Sequence, residues 1–313
     1  MPELPEVETV RQGLNQVTLS QEILGGDVLL NRTIAHPLSM DEFLAGLKNV
    51  TITGWHRRGK YLLAELSKLN IGDQEELTLQ NSRITKEEST PQIHPWKNNP
   101  KSSDAGWLGV HLRMTGQLLW LNQEEPLQKH TRVRLFFQDN RELRFVDLRT
   151  FGQMWWVPPS EAPESIITGL QRLGPDPFSA DFSVKYLVGK LKNRQRSIKT
   201  ALLDQTLVAG AGNIYADEAL FLSGIPPTTL CAALNLEQIE RIRTSIIQVL
   251  QTSIEAGGTT FSNFLNVQGV NGNYSGVAWV YGRTGQPCRI CSTPIVRLKL
   301  AGRSSHFCPK CQQ

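Results

Sequence analysis

Apolar and polar positions change their spacing along the chain, and the changes mark out regions of different structure. At the start, Val7, Val10 and Leu14 recur at helical spacing behind Leu4-Pro5-Glu6. Proline suits a first helical position, and Glu6 and Glu8 suit the positive end of a helix dipole. A short amphipathic helix is predicted there. From that helix to about residue 157 the pattern is that of strands, at 61–66, 107–112, 117–121, 131–137 and 142–146. Arg132 and Arg134 alternate with Val133 and Leu135, the period of a half-buried strand. Thr115-Gly116 is expected to turn strand 107–112 back into 117–121, and Asp139-Asn140 to turn 131–137 into 142–146. Several short antiparallel strands with turns between them predict a β-sandwich. Residues 67–105 interrupt the pattern with a polar stretch rich in Ser, Asn, Lys and Glu, read as a flexible insertion without an assigned function. Pro158-Pro159-Ser160 through Pro163 reads as a linker. Beyond it the periodicity is helical, with helices predicted over 184–191, 197–204, 213–223 and 236–256. Asn213, after Gly210-Ala211-Gly212, is the expected N-cap of the third. No internal repeat is visible.

Composition adds little by itself: 40% apolar and 20% charged residues describe an ordinary globular chain of 313 residues. No apolar run approaches a membrane span, and MPELPEVETV lacks the basic-then-apolar start of a signal peptide. The protein is expected to stay in the cytoplasm. Net charge is +4, and its distribution says more than its size. Lys185, Lys190, Lys192, Arg194, Arg196 and Lys199 form one island without an acid. Arg283, Arg289, Arg297, Lys299, Arg303 and Lys310 form another over 281–313, which leaves 21 basic residues against all 29 acidic ones elsewhere. Two basic islands on an acidic background are the expected footprint of polyanion binding.

Four of the five cysteines fall in the last 26 residues, as Cys288-x-x-Cys291 and Cys308-x-x-Cys311. Two such pairs separated by sixteen residues match a four-thiolate tetrahedral zinc site. Four thiolates leave no open position, so one structural Zn2+ is expected. Cys231, alone among apolar residues, reads as a small core side chain. Arg303, Lys299 and His306 lie in the same unit and are expected to present cations to a phosphate backbone. The Gly-rich step before Asn213 is expected to let a polyanion approach a helix N-terminus. With the first basic island just upstream, a helix–two-turn–helix DNA clamp is predicted.

PELPEVET at 2–9 resembles the opening of the formamidopyrimidine-DNA glycosylase family. The resemblance continues through RRGKYLL at 57–63, HLRMTG at 111–116, DLRTFG at 147–152, AGAGNIYADEAL at 209–220 and VYGRTGQPCRICSTPIV at 280–296. It implies an α+β, two-domain enzyme. Its parts are an N-terminal catalytic β-sandwich with flanking helices over 1–157, a linker over 158–180, a helix–two-turn–helix DNA-binding domain over 181–278 and a zinc finger over 279–313. The implied activity is that of a bifunctional glycosylase and abasic-site lyase of base excision repair, acting as a monomer on damaged double-stranded DNA. Pro2, freed of Met1, is the implied nucleophile, with Glu3 moving protons, Lys60 acting in β-elimination and Arg303 aiding δ-elimination. His130, Arg149 and Arg194, with His111 and Asn213, are the implied DNA contacts. Met114, Arg149 and Phe151 match the family's void-filling trio, and Arg149 would also read the opposite cytosine. That trio favours oxidised purines, 8-oxoguanine and formamidopyrimidines, as substrates. Residues 267–277 fall where the family keeps a mobile loop over the extruded base. The alternatives are an oxidised-pyrimidine glycosylase of the sister branch and a non-catalytic DNA-binding protein, against which intact Pro2, Glu3, Lys60 and Arg303 argue.

Overall fold

The computed structural model describes residues 1–68, 104–259 and 265–313. The chain forms two compact units, one of Met1, Val10–Gln171 and Leu265–Val270, the other of Pro2–Thr9, Arg172–Phe264 and Asn271–Gln313. The N-terminal helix α1 (Leu4–Thr18) thus contributes to both. Most of the insertion read at 67–105 lies outside the described residues.

The first unit is a β-sandwich. One sheet has the order β1 (Glu22–Ile23), β4 (Val50–Arg58), β5 (Tyr61–Ser67), β6 (Gly106–His111), β10 (Gln153–Val157), β3 (Ile34–His36). The other has the order β2 (Gly25–Val28), β8 (Thr131–Phe136), β9 (Arg141–Asp147), β7 (Gly116–Asn122). All pairings are antiparallel except β10 with β3. Strand β8 buries Thr131, Val133 and Leu135 and turns Arg132 and Arg134 outward, as its alternation requires. Asp139 and Asn140 both take left-handed backbone (φ 54° and 57°) and close the β8–β9 hairpin, a conformation in which Asn and Asp cost least. Helix α2 (Met40–Leu47) is capped by the Ser39 hydroxyl and buries Phe43 and Leu47. The C-terminal part of α1 docks through Asn15, whose side chain accepts the Trp55 N–H (2.8 Å) and donates to the Trp55 carbonyl (3.2 Å). The Trp55 indole N–H reaches the Thr18 hydroxyl (2.9 Å).

Three expectations are corrected. Thr115-Gly116 does not close a hairpin, because β6 and β7 lie in different sheets. Arg113 takes φ 54° at the corner, and a Cβ at Gly116 would stand 2.5 Å from the Leu112 carbonyl, so the chain crosses over there instead of pairing back. Pro163, read as linker, opens a short helix α3 (Pro163–Ile166), followed by α4 (Thr168–Gln171), and Ile167 and Leu170 are buried. Asn213 is not a cap. It is the first residue of its helix, and Gly212 occupies the cap position.

In the second unit, α5 (Val184–Leu191), α6 (Ile198–Leu202), α7 (Asn213–Leu222) and α8 (Leu236–Glu255) surround a core that includes Leu4, Leu187, Leu202, Leu220, Ile246 and, as read from sequence, Cys231. Asn235 and Gln238 form a capping box at the start of α8. A two-stranded hairpin follows, β11 (Val296–Leu300) with β12 (Arg303–Phe307), turned by Ala301 and Gly302, both with positive φ.

The sandwich also buries an ion network. Glu142 and Arg144 are fully buried and paired, and Arg134 reaches the other Glu142 oxygen at 2.7 Å. Arg144 further donates to the carbonyls of Pro126 (2.8 Å) and Glu125 (2.6 Å) and to the Gln128 side chain (2.7 Å), so every edge of the guanidinium is used. Arg144→Ala leaves Glu142 with Arg134 alone and takes the Arg144 donors from the Pro126 and Glu125 carbonyls. It should cost about 3–5 kcal/mol, read as a lowered midpoint of urea unfolding with an unchanged slope.

Candidate active site and zinc centre

In the second unit the N-terminal residues are seated on the Gly-rich loop ahead of α7. The Leu4 N–H donates to the Gly210 carbonyl (3.1 Å), and the Glu3 carboxylate accepts the N–H of Ile214 (3.3 Å) in the first turn of α7. A Cβ at Gly212 would stand 2.2 Å from the Glu3 carboxyl carbon, and one at Gly210 (φ 91°) 2.7 Å from Leu4. The Gly-rich step, read from sequence as a place for a polyanion, is filled by the protein's own N-terminal segment. Pro2 and Glu3 are both buried. An anionic carboxylate at a helix N-terminus is favoured by the exposed N–H groups and the dipole.

Behind Glu3 lies Glu6, 1% exposed. One of its oxygens accepts the Glu3 N–H (2.7 Å); the other accepts the Tyr215 hydroxyl (2.5 Å) and the Thr259 N–H (3.0 Å). The Tyr215 hydroxyl also pairs with Ser253 at 2.6 Å. Burial, aided by the Glu3 carboxylate and opposed by those hydrogen bonds, pushes the Glu6 carboxyl up to about 7.

Helix α7 carries two buried acids that sequence reasoning quoted in a motif but gave no role. Asp217 pairs with Lys199 and accepts the Ser305 hydroxyl (3.0 Å), the His306 N–H (2.9 Å) and the His306 ring (3.1 Å). Lys199 also donates to the Ser304 carbonyl (2.9 Å). Glu218 accepts the N–H groups of Trp279 (2.7 Å), Val280 (2.9 Å) and Tyr281 (2.8 Å). Together they tie α7 to the finger. Lys199 and His306, counted in sequence among the cations offered to DNA, are therefore internal. Arg194 and Arg196 remain partly exposed but share Asp204, at 3.5 and 2.7 Å. The cations left exposed on the hairpin are Arg297, Lys299 and, just past its tip, Arg303. Asn213 is half-buried in the first turn of α7.

The ligand atoms of Cys288, Cys291, Cys308 and Cys311 all lie within 4.8 Å of one another, with Sγ–Sγ separations of 3.8 Å (288–311) and 3.4 Å (291–308). Tetrahedral zinc with bonds of about 2.3 Å places its sulfurs about 3.8 Å apart, so this set fits one zinc ion. Cys288 and Cys308 pack in a small apolar cluster with Phe221, Val280 and Ile295, which makes the site part of the fold.

The remaining expected site residues belong to the first unit. Lys60 is buried at the β4–β5 turn. His111 ends β6, and its Nδ1 accepts the Arg113 N–H (3.0 Å). Burial, with Arg113 and Lys60 nearby, pushes its imidazolium down to about 3, so it is a neutral ring with a proton on Nε2. Met114 lies at the corner between β6 and β7, and Arg149 and Phe151 lie on the loop after β9. Phe151 is half-exposed, with the Arg149 guanidinium 5.0 Å over its ring. His130 precedes β8, half-buried, its ring against Arg132 (3.1 Å). In the stretch expected to cover an extruded base, Val267 is buried in the first unit and Tyr274 in the second.

Family models describe three parts of this chain: the formamidopyrimidine-DNA glycosylase N-terminal domain (1–154), the H2TH domain of the same enzymes (173–264) and a zinc finger found in FPG and IleRS (285–313). A formamidopyrimidine-DNA glycosylase of Nostoc punctiforme is 66% identical over 100% of this chain and 96% of its own. The chain belongs to the formamidopyrimidine-DNA glycosylase family. A solved complex between a Lactococcus lactis Fpg variant and Fapy-dG-containing DNA superposes with a TM-score of 0.82 at 32% identity, covering both chains fully. Another, of the wild-type L. lactis enzyme with DNA containing an oxidised pyrimidine, gives 0.80 at 32% identity, again over both full chains. The chain is accordingly a zinc-finger DNA glycosylase of base excision repair, from a class that couples base release to abasic-site lyase activity. Among the described residues no helix is long and apolar enough to cross a membrane.

The Glu6 site makes this glycosylase's stability pH-dependent in a defined direction. The folded state holds a proton there between the ordinary carboxyl value of 4.5 and about 7, where the unfolded state does not. Stability from this group is therefore full below 4.5 and falls as pH rises through 7, by about 3 kcal/mol in all. Glu6→Gln should remove that slope, measured as unfolding free energy against pH from 4 to 8.

Proposed function

We propose that this chain excises oxidised purines, 8-oxoguanine and formamidopyrimidines, from duplex DNA through the amine of Pro2 and then cleaves the strand by β,δ-elimination. The observation that carries the reading is the seating of Glu3 and Leu4 on Gly210–Gly212, because it holds the backbone next to Pro2 at the head of α7. Once Met1 is removed, Pro2 presents a secondary amine. α-Amino groups titrate near 8, so a useful fraction is unprotonated at neutral pH.

The amine attacks the sugar C1′ and gives up its proton to the Glu3 carboxylate, while the C1′–N9 bond breaks and its electron pair leaves on the base, which takes a proton from water. The sugar ring opens as Glu3 passes the proton it received to O4′, and the nitrogen shares its lone pair to give an iminium ion. A secondary amine has no remaining N–H to lose at that stage, so the iminium persists as an electron sink. It acidifies the C2′ proton, whose removal expels the 3′ phosphate. Loss of the 5′ phosphate follows in the same sense. Lys60 acts in the first elimination and Arg303 in the second, as cations that offset phosphate charge. His111, as a neutral Nε2–H donor, contacts a phosphate without a pH switch. His130, Arg194 and Asn213 are the further backbone contacts. Met114, Arg149 and Phe151 fill the gap left by the extruded base, an apolar wedge, a planar donor and a ring. The enzyme works as a monomer, in the cytoplasm where the chromosome lies.

A second substrate class, oxidised pyrimidines, is favoured by the L. lactis complex with such a lesion. Single-turnover excision of 8-oxoguanine and of an oxidised pyrimidine, each opposite all four bases, separates the two. The purine reading expects 8-oxoguanine opposite cytosine to be the fastest pair and Arg149→Ala to shrink the cytosine-over-adenine preference. Faster pyrimidine release, with no dependence on the opposite base, overturns it. Arg149→Ala that instead weakens all duplexes equally and lowers the salt slope by about one unit marks a plain phosphate contact.

A further inference from the structure

Strand β9 ends in a buried carboxylate, Asp147, 1% exposed. One oxygen accepts the Thr115 hydroxyl (2.5 Å) and the Arg149 N–H (3.2 Å); the other accepts the Gly152 N–H (2.7 Å). The Thr115 oxygen in turn accepts the Arg149 N–H at 2.9 Å. The hydroxyl therefore donates to Asp147 and accepts from Arg149, and its orientation is fixed. Thr115 directly follows Met114, and Gly152 directly follows Phe151. The loop between them is bent by Thr150 (φ 58°), whose carbonyl takes a hydrogen bond from Arg32 (3.0 Å). A Cβ at Gly152 would stand 2.4 Å from the Phe145 ring and 3.1 Å from the Asp147 carboxylate, so nothing larger than glycine lets the N–H reach it.

We propose that Asp147 and Thr115 are positioning residues that lock the Met114 corner to the Arg149–Phe151 loop, so that the three side chains enter DNA as one rigid wedge and discriminate the opposite base together. This rests on the reading of that trio as void-filling. Three donors converge on Asp147, and an asparagine would offer only one accepting oxygen and set an N–H2 against a donor. A wedge that opens a base step must be placed before it meets DNA, because misplacement of about 1 Å costs up to about a hundredfold in rate. Neither Asp147 nor Thr115 need touch DNA for this.

The test compares Thr115→Val, Thr115→Ser and Asp147→Asn with Met114→Ala and Phe151→Ala in the full zinc-loaded protein. The readouts are 2-aminopurine fluorescence opposite an abasic-site analogue, single-turnover excision of 8-oxoguanine opposite cytosine and adenine, and affinity for undamaged duplex. Thr115→Val should reduce the fluorescence change and slow excision opposite cytosine by about 10- to 100-fold. It should shrink the cytosine-over-adenine ratio and leave undamaged-duplex affinity within about twofold, as for residues that make no DNA contact. Thr115→Ser, which keeps the hydroxyl, should restore all three. Thr115→Val combined with Met114→Ala should lose less than the product of the two separate losses, because part of what the lock places is already gone. Should Asp147→Asn fail to fold, the Thr115 pair carries the test. Wild-type behaviour of Thr115→Val, no rescue by serine, or additive effects in the double variant would overturn the proposal while the trio's role stands. An unchanged fluorescence signal in Met114→Ala and Phe151→Ala would overturn the void-filling reading and this proposal with it.

Discussion

At Gly212 there is no space for a β-carbon, because the Glu3 carboxyl occupies it, and at Gly210 the side chain of Leu4 does the same. That close contact is the constraint on which the second unit depends. The backbone of residues 3 and 4 must lie flat on the loop for the Leu4 N–H to reach the Gly210 carbonyl and for Glu3 to reach the first turn of α7. Glu6 secures the arrangement from behind by accepting the Glu3 N–H while it also holds Tyr215 and Thr259. The backbone of residues 3 and 4 is thereby fixed from both sides.

The same helix extends the constraint to the finger. Its N-terminus meets Glu3, and one to two turns on, Asp217 and Glu218 collect the N–H groups of 279–281 and of His306. The Ser304 carbonyl, one residue past Arg303, is fixed by Lys199. The basic side chains at the finger divide by burial. Lys199, on α6, and His306 hold the framework, and Arg297, Lys299 and Arg303 are exposed. A buried charge such as Lys199 is costly unless paired, and it has both Asp217 and the Ser304 carbonyl as partners.

Much of this was legible in the chain. Helix α5 spans 184–191, as its periodicity predicts, and the alternation around Arg132 and Arg134 places β8 correctly. The cysteine spacing was sufficient for the zinc site, since a four-thiolate set needs little beyond the two pairs. The failures share one cause. Local pattern reports the type of a side chain and not its surroundings. Lys199 finds Asp217 eighteen residues away and His306 finds it eighty-nine away, so both look like surface charge in sequence. Thr115-Gly116 has turn chemistry, yet whether a turn closes a hairpin or crosses between sheets depends on which strand pairs with β7, and that partner is β9. Asn213 carries a capping side chain, but the loop tightens one residue earlier because Gly212 must clear Glu3.

The proposed chemistry turns on the group that attacks the sugar. Borohydride reduction of the protein with a lesion-containing duplex, followed by peptide mapping of the trapped adduct, reads that group directly. One covalent adduct is expected, on the nitrogen of Pro2, formed only by chains that have lost Met1. An adduct on Lys60, or equal trapping by chains that keep Met1, would contradict it.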